Sequence, residues 1–300
     1  MKIKSNKKRN YIVAPVVVLS FFLILSLATY LIENDLFLSI NYFYIGFFTS
    51  LGMIVYSTLS KKRRLIGVRL SLIMISVAMF FGMGVFGRIN GQVEGFFFYL
   101  FAGVYSGTVT HYLVAKILGP IILNRGWCGW GCWTMVVLDF LPYRKGRTKL
   151  PSKFGWIRYL HFAMSLTLVI ILWFGFDYTI LKEYWDVAGM YWFLIGNGIY
   201  YTVGISLTFI LKDNRAFCKY VCPVTTFLKM SSSLSILRIE GNKNLCNECA
   251  ACSKICPMDI DVISYTKLGK RVLSSECIMC LTCINVCTKG ALKASVGLDF

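Results

Sequence analysis

Charge is what this chain has least of. Asp, Glu, Lys and Arg make up 15% of its 300 residues, against roughly 25% in an average soluble domain. Hydrophobic residues make up 57%, and the mean hydropathy is +0.64. A soluble domain burying so much apolar surface would still need a charged exterior, and the charges here are few and clustered, so a multi-span membrane protein is expected. Acidic residues number 14 beside 32 basic ones, a formal charge of +18. In a soluble protein that surplus points to nucleic acid; in a membrane protein it first points to retained cytoplasmic loops. Histidine occurs twice. No acid–base or nucleophilic constellation is visible, so reactivity has to come from cofactors.

What the chain does have is long uncharged runs. Six are long enough to cross a bilayer core: Tyr11–Ile32, Leu36–Leu59, Leu70–Gly87, Gly95–Ala115, Tyr159–Phe176 and Val187–Leu211. Each is expected to be helical, because lipid offers no partner to an open backbone. Alternate flanks hold Lys2, Lys4, Lys7, Lys8 and Arg9; Lys61, Lys62, Arg63 and Arg64; Arg125, Arg144, Lys145, Arg147, Lys149 and Lys153; then Lys212, Arg215 and Lys219. The opposite flanks hold only Arg88 and Lys182 beside six acidic residues. The positive-inside rule therefore places both termini in the cytoplasm and the chain in the cytoplasmic membrane, with the first run an uncleaved anchor. The basic surplus becomes a topology signal, and no nucleic-acid partner is implied. A transporter is disfavoured: no span carries an ionic pathway residue, and the pattern predicts no midplane break.

All twelve cysteines fall into patterned groups. From about residue 238 the chain turns polar, and Cys246, Cys249, Cys252 and Cys256-Pro257 are followed by Cys277, Cys280, Cys283 and Cys287. Two-residue gaps wrap three thiolates around one iron–sulfur cube while the fourth cysteine reaches the partner cube. Cys246, Cys249, Cys252 and Cys287 are therefore assigned to one [4Fe–4S] cluster, and Cys277, Cys280, Cys283 and Cys256 to the other. Disulfides do not suit the cytoplasmic side, and zinc sites favour paired cysteines or Cys/His sets over two runs of four. A separate domain over 238–300 follows, α+β and ferredoxin-like, after a membrane domain over 1–237; it is small enough to need its metal to fold.

The other four cysteines belong to an internal repeat. Asn124-Arg125-Gly126-Trp127-Cys128-Gly129-Trp130-Gly131-Cys132 recurs as Asn214-Arg215-Ala216-Phe217-Cys218-Lys219-Tyr220-Val221-Cys222. The preceding spans keep the same offset, so a duplicated hairpin is expected, each copy ending in a Cys-x-x-x-Cys turn. In a helix that gap sets two thiols on one face. Cys128, Cys132, Cys218 and Cys222 are candidates for a third redox centre, with a thiol/disulfide relay, metal-ion handling and simple packing as alternatives. Trp127, Phe217, Trp130 and Tyr220 read as interface anchors, and Arg125 and Arg215 as donors to an anionic cluster or a lipid phosphate. His111 and His161 fall within spans and are candidate quinone or haem contacts beside the packing reading. Ser106-Gly107-Thr108 faintly matches a flavin-attachment sequence, but lies in a span without the acidic flank.

From about Leu65 to the C-terminus, the four repeated spans, the two Cys-x-x-x-Cys turns and the double ferredoxin motif resemble the multi-span membrane ferredoxins of the NapH type. Methylamine-utilisation ferredoxin-like proteins and the C-terminal parts of NosR-type regulators are relatives. The family usually has proline after both Cys-x-x-x-Cys motifs; here Pro223 follows Cys222, but Trp133 follows Cys132. The resemblance implies electron transfer between the quinone pool and a partner redox protein, as a component of a quinol dehydrogenase or as a carrier. A maturation protein supplying electrons for metal reduction or metalloenzyme assembly is the alternative.

Overall fold

The computed structural model describes residues 2–61, 63–143, 152–180 and 185–299. Several charges used for the topology, Lys62, Arg144, Lys145, Arg147, Lys149, Lys182 and Glu183, lie outside the described residues. Among those residues, five helices are long and apolar enough to cross a membrane: Ile12–Glu33, Leu36–Thr58, Leu65–Phe86, Lys153–Gly175 and Asp186–Leu211. Backbone contacts divide the chain into two compact units, Met1–Gly87 with Gly129–Val136, and Arg88–Cys128 with Val137–Phe300.

The first unit is built on α1 (Lys2–Glu33), α2 (Leu36–Thr58) and α3 (Leu65–Val77), the last continued by wide π-helical turns over Ala78–Phe86. Asp35 starts α2, its Oδ1 accepting the Leu38 N–H at 2.8 Å, which satisfies one of the orphan donors of a helix start. Small residues let the helices approach closely. A Cβ on Gly67 would lie 2.2 Å from the Gly52 carbonyl oxygen. Ser50 Oγ donates to the Pro15 carbonyl of α1 at 2.9 Å. The outer surface is aliphatic: Ile24, Leu31 and Ile32 are 69%, 71% and 82% exposed, a surface that lipid covers at no cost and water does not.

The second unit departs from the expected through-going fourth span. Residues Gly95–Ala115 do not form one helix: α4 covers Val93–Phe101, and α5 (Gly107–His111) leads through π-helical turns at Tyr112–Leu118 into α6 (Gly119–Leu123). The neighbours of α4 give its direction. Glu94 Oε1 accepts from Ser165 Oγ at 2.6 Å, at the middle of α9 (Ile157–Ile170), while Phe101 packs against Trp173 and Phe174 near the far end of the same apolar segment. Consecutive membrane spans run antiparallel, but α4 runs parallel to α9. Residues 88–101 therefore dip into the helical layer and return as α4, and the midplane break that the sequence did not predict is present.

Irregular backbone at membrane depth is tolerated only where protein satisfies it, and here it does. Asn90, wholly buried, accepts the Gln92 N–H on its Oδ1 at 3.1 Å, and its carbonyl takes the Thr108 hydroxyl at 2.9 Å. The Gln92 amide reaches the Phe193 carbonyl of α10 (Trp185–Leu211). Phe96, Phe97, Phe98, Tyr112 and Val169 pack around the loop. The second copy of the repeat, by contrast, presents α10 as a single 27-residue helix; the duplication has diverged in shape.

Both copies then fold their cysteine turns alike. Between α6 and α10 stand α7 (Gly126–Trp130) and α8 (Trp133–Leu138), and α11 (Ala216–Tyr220) is followed by α12 (Thr225–Ser232). The first cysteine of each pair is helical, whereas Cys132 and Cys222 fall just past the helix end, so the two thiols do not share a helix face. The expected aromatic anchors are largely withdrawn from the interface: Phe217 and Tyr220 are buried, and Trp127 packs into the core beneath the ferredoxin motif.

The last sixty residues close on a two-stranded antiparallel sheet, β1 (Leu237–Gly241) with β2 (Leu292–Val296), in the register Ile239↔Ala294. Between the strands lie α13 (Ala251–Lys254), α14 (Val262–Lys267) and α15 (Thr282–Val286).

Gly95 leaves no room for a side chain, since a Cβ there would stand 2.2 Å from the Asn90 carbonyl oxygen, while Gly198 on α10 has open space. Gly95→Ala should destabilise the detergent-solubilised protein by about 1–3 kcal/mol, and Gly198→Ala should leave its thermal midpoint nearly unchanged. Equal midpoints in the two variants would refute the buried re-entrant turn.

Candidate iron–sulfur sites

The eight cysteines of the C-terminal motifs line two cavities. Cys246, Cys249, Cys252 and Cys287 surround one, with Thr266 and Leu292. Cys256, Cys277, Cys280 and Cys283 surround the other, with Ile239, Val272 and Ile278. Each cavity is thus lined by three cysteines of one run and one of the other. The loops turn by equivalent devices: Glu248 and Ala250 flank Cys249, and Met279 and Leu281 flank Cys280, all four at left-handed φ between 50° and 61°. Such backbone is costly for residues other than glycine and persists where the surroundings over-determine it. Here it curls each chain segment so that three sulfurs face one point.

The sulfurs receive local donors, Thr282 Oγ1 to Cys280 and the Ala291 N–H to Cys287, both at 3.3 Å. Burial pushes the Cys277 thiol up to about 12, and raises Cys252, Cys256 and Cys283 as well. Without metal these positions favour neutral thiols; the positive charge of iron makes them thiolates. Zinc is a poor fit by geometry: among the described residues, no three His, Cys, Asp or Glu side chains converge as a single ion requires. Four sulfurs set around one cavity, with no three close enough for a single ion, suit an iron–sulfur cube.

The second cavity is docked against the membrane turns. Cys128 and Leu228 share a core with Ile239, Met258 and Ile278, with Trp127 and Val224 packed on its edge. The Arg125 N–H donates to the Cys277 carbonyl at 3.2 Å. Its guanidinium, wholly buried, pairs with Glu276. Arg158 joins the same carboxylate at 3.1 Å and Lys229 at 2.7 Å. Burial alone would raise the Glu276 pKa, but Arg125, Arg158 and Lys229 hold it at about 2. A parallel set lies alongside: Lys219 bridges Asp213 and Asp259, and Arg215 pairs with Asp139 at 2.9 Å while donating to the Cys128 carbonyl at 3.0 Å. The second copy of the repeat thereby grips the first.

Arg125 is too buried to meet a lipid phosphate. Burial works against its charge, yet its pKa is raised, by Cys128 first, then Glu276, Cys218 and Cys222. Three of the four turn cysteines thus act on one guanidinium; Cys132 belongs to the first unit. The histidines stand beside the same turns. The His111 ring lies 4.9 Å from that of Trp127, and His161 Nδ1 lies 2.8 Å from the Val221 carbonyl. Sequence reading missed Glu276, Arg158, Lys229 and Asp259 as site residues. The only hint was an acidic residue directly before Cys277.

A family model described as a 4Fe-4S dicluster domain matches residues 238–288. The chain is 30% identical over 200 residues to the uncharacterized protein MJ0750 of Methanocaldococcus jannaschii, covering 61% of this chain and 77% of the relative. It is 25% identical over 189 residues to the ferredoxin-type protein NapH of Haemophilus influenzae, 60% of this chain and 65% of that one. It is 27% identical over 167 residues to the methylamine utilization ferredoxin-type protein MauN of Paracoccus denitrificans, 52% and 57%. The chain belongs to the NapH-type membrane ferredoxin family. It spans under two thirds of the ferredoxin-type relatives it matches. No solved structure matches it. Its ferredoxin-type relatives and the 4Fe-4S domain support iron–sulfur electron transfer, in line with the NapH-type resemblance of the repeated spans, the turns and the double ferredoxin motif.

Glu276 is the shared partner of three cations. Glu276→Gln should cost about 3 kcal/mol and loosen the ferredoxin segment on the membrane turns, read as faster hydrogen exchange over Ile278–Met279 and Trp127–Cys128. Unchanged exchange there would rule out Glu276 as the docking contact.

Proposed function

We propose that this protein carries electrons between the quinone pool and a partner redox protein, as the membrane component of a quinol dehydrogenase. One [4Fe–4S] cluster is held by Cys246, Cys249, Cys252 and Cys287, and the other by Cys277, Cys280, Cys283 and Cys256. The ferredoxin segment and both termini face the cytoplasm across the cytoplasmic membrane, in keeping with the basic flanks. One observation carries the reading: the cavity of Cys256, Cys277, Cys280 and Cys283 is pinned by the Arg125 backbone and by Glu276 to turns that end membrane segments. A fixed short path suits electron transfer, whereas a metal-delivery site would need to open.

In this reading the Cys-x-x-x-Cys turns carry a third redox centre, and the histidines serve the quinone. A carbonyl only accepts, so His161 Nδ1 donates to Val221, which leaves Nε2 as the ring nitrogen available to a substrate. That nitrogen is suited to take a proton from a quinol hydroxyl. His111 packs on Trp127, next to Cys128 in the first turn. Clusters add negative charge to a segment that carries eight basic and six acidic residues from Arg238 onward, which favours a basic docking partner.

Anaerobically purified protein in lipid nanodiscs should show bleaching of its iron–sulfur absorbance on adding menaquinol or ubiquinol. His161→Phe should slow this about 10²-fold at unchanged iron content. No bleaching by either quinol in protein that dithionite reduces fully, together with reduction of Cu(II) or Fe(III), would replace this reading by the maturation role.

A further inference from the structure

The turn at Asn124–Cys128 is rich in donors that the protein does not satisfy. Arg125 Nε and Nη2, Asn124 Nδ2 and Trp127 Nε1 are buried and have no hydrogen-bond partner among the described residues. Buried donors are nearly always paired, and an unpaired guanidinium N–H is among the costliest exceptions. Charge shows the same deficit. Among the described residues, Arg125, Arg158 and Lys229 share the carboxylate of Glu276, which leaves two positive charges over; the adjacent set, where Arg215 and Lys219 meet Asp139, Asp213 and Asp259, offsets one of them. The chemistry missing from this spot is therefore anionic and rich in acceptors, beside a guanidinium on which Cys128, Cys218 and Cys222 all act electrostatically. The first two of these thiols are buried.

A disulfide or neutral thiols would supply neither the charge nor strong acceptors. A single metal ion needs ligands converged more closely than any described here. An iron–sulfur core with thiolate ligands meets both needs, since a four-iron cube with four cysteines carries about two negative charges and its sulfides accept hydrogen bonds. Its ligands would be the three cysteines named.

On the reading of the turns as a redox centre, we propose that Cys128, Cys218 and Cys222 hold an anionic iron–sulfur centre. The free N–H groups of Arg125 bond it, making that arginine the positioning residue between it and the cluster of Cys256, Cys277, Cys280 and Cys283. Arg125 serves both sides, its backbone donating to Cys277 and its Nη1 to Glu276 while its remaining donors serve the new centre. The step is a one-electron exchange: the reduced centre is oxidised by one electron, the neighbouring cluster is reduced by one, and no ligand or proton changes place.

The test reads iron and potential on the full-length protein in lipid. The parent should bind about twelve irons, and Cys128→Ser and Cys218→Ser should each lose the third centre, one electron-paramagnetic-resonance signal disappearing while the two ferredoxin signals remain as evidence of folding. Equal iron and equal spectra in parent and both variants would overturn the centre. Arg125→Gln should keep the iron but move the midpoint of that same signal to more negative potential, because removing a cation disfavours the more anionic reduced state. Arg125→Lys should restore most of the shift. A midpoint unmoved in Arg125→Gln at full iron content would overturn the role of Arg125 while leaving the centre in place.

Discussion

A buried guanidinium with one carboxylate for company is the constraint on which this structure turns. Arg125 is wholly enclosed, and removing its charge from water is strongly unfavourable unless opposite charge and acceptors replace the lost hydration. Glu276 provides part of that replacement. The residue after Glu276 is the first cysteine of the second ferredoxin motif, so neutralising Arg125 also fixes that motif against the Cys-x-x-x-Cys turn. Arg158 and Lys229 converge from α9 and α12 on the same carboxylate, so two membrane-side elements are held to one point of the ferredoxin segment.

The same rule, that a polar group leaving water must meet a partner, governs the membrane side. Residues 88–92 enter the helical layer without regular structure, which the side chains of Asn90, Gln92 and Thr108 make tolerable. Glu94 sits among aromatic residues with the Ser165 hydroxyl as its hydrogen-bond donor. Aromatic packing by Phe96, Phe97 and Phe98 then keeps lipid from the loop. Polar groups are in this way drawn to the interior, while the exposed faces of the long helices carry large aliphatic and aromatic side chains.

Much of the site was legible in the chain. Two-residue gaps have a direct geometric meaning for a cube of iron and sulfide, so the crossed grouping of Cys256 with Cys277, Cys280 and Cys283 could be read without coordinates. The repeat likewise announced two equivalent turns, and both fold as five-residue helices. The partners of Arg125 were not legible. Glu276 lies 151 residues away in sequence, and no local pattern distinguishes it from any other surface glutamate. The direction of α4 was hidden for a related reason: Gly95–Ala115 is as apolar as a through-going span, and hydropathy does not register that Asn90 and Thr108 satisfy one another.

Composition and spacing determined, by themselves, that this is a helical membrane protein with a ferredoxin segment of two four-cysteine motifs and a duplicated cysteine turn. Those properties rest on local quantities: the length of an uncharged run, the offset between thiols, and the sign of charge between spans. Tertiary structure alone decided that the fourth span folds back, that the second cysteine of each turn leaves its helix, and that the ferredoxin segment is clamped to the membrane turns. Each of these depends on which distant polar groups find one another once water is gone, and pairings of that kind leave no period or spacing in a chain.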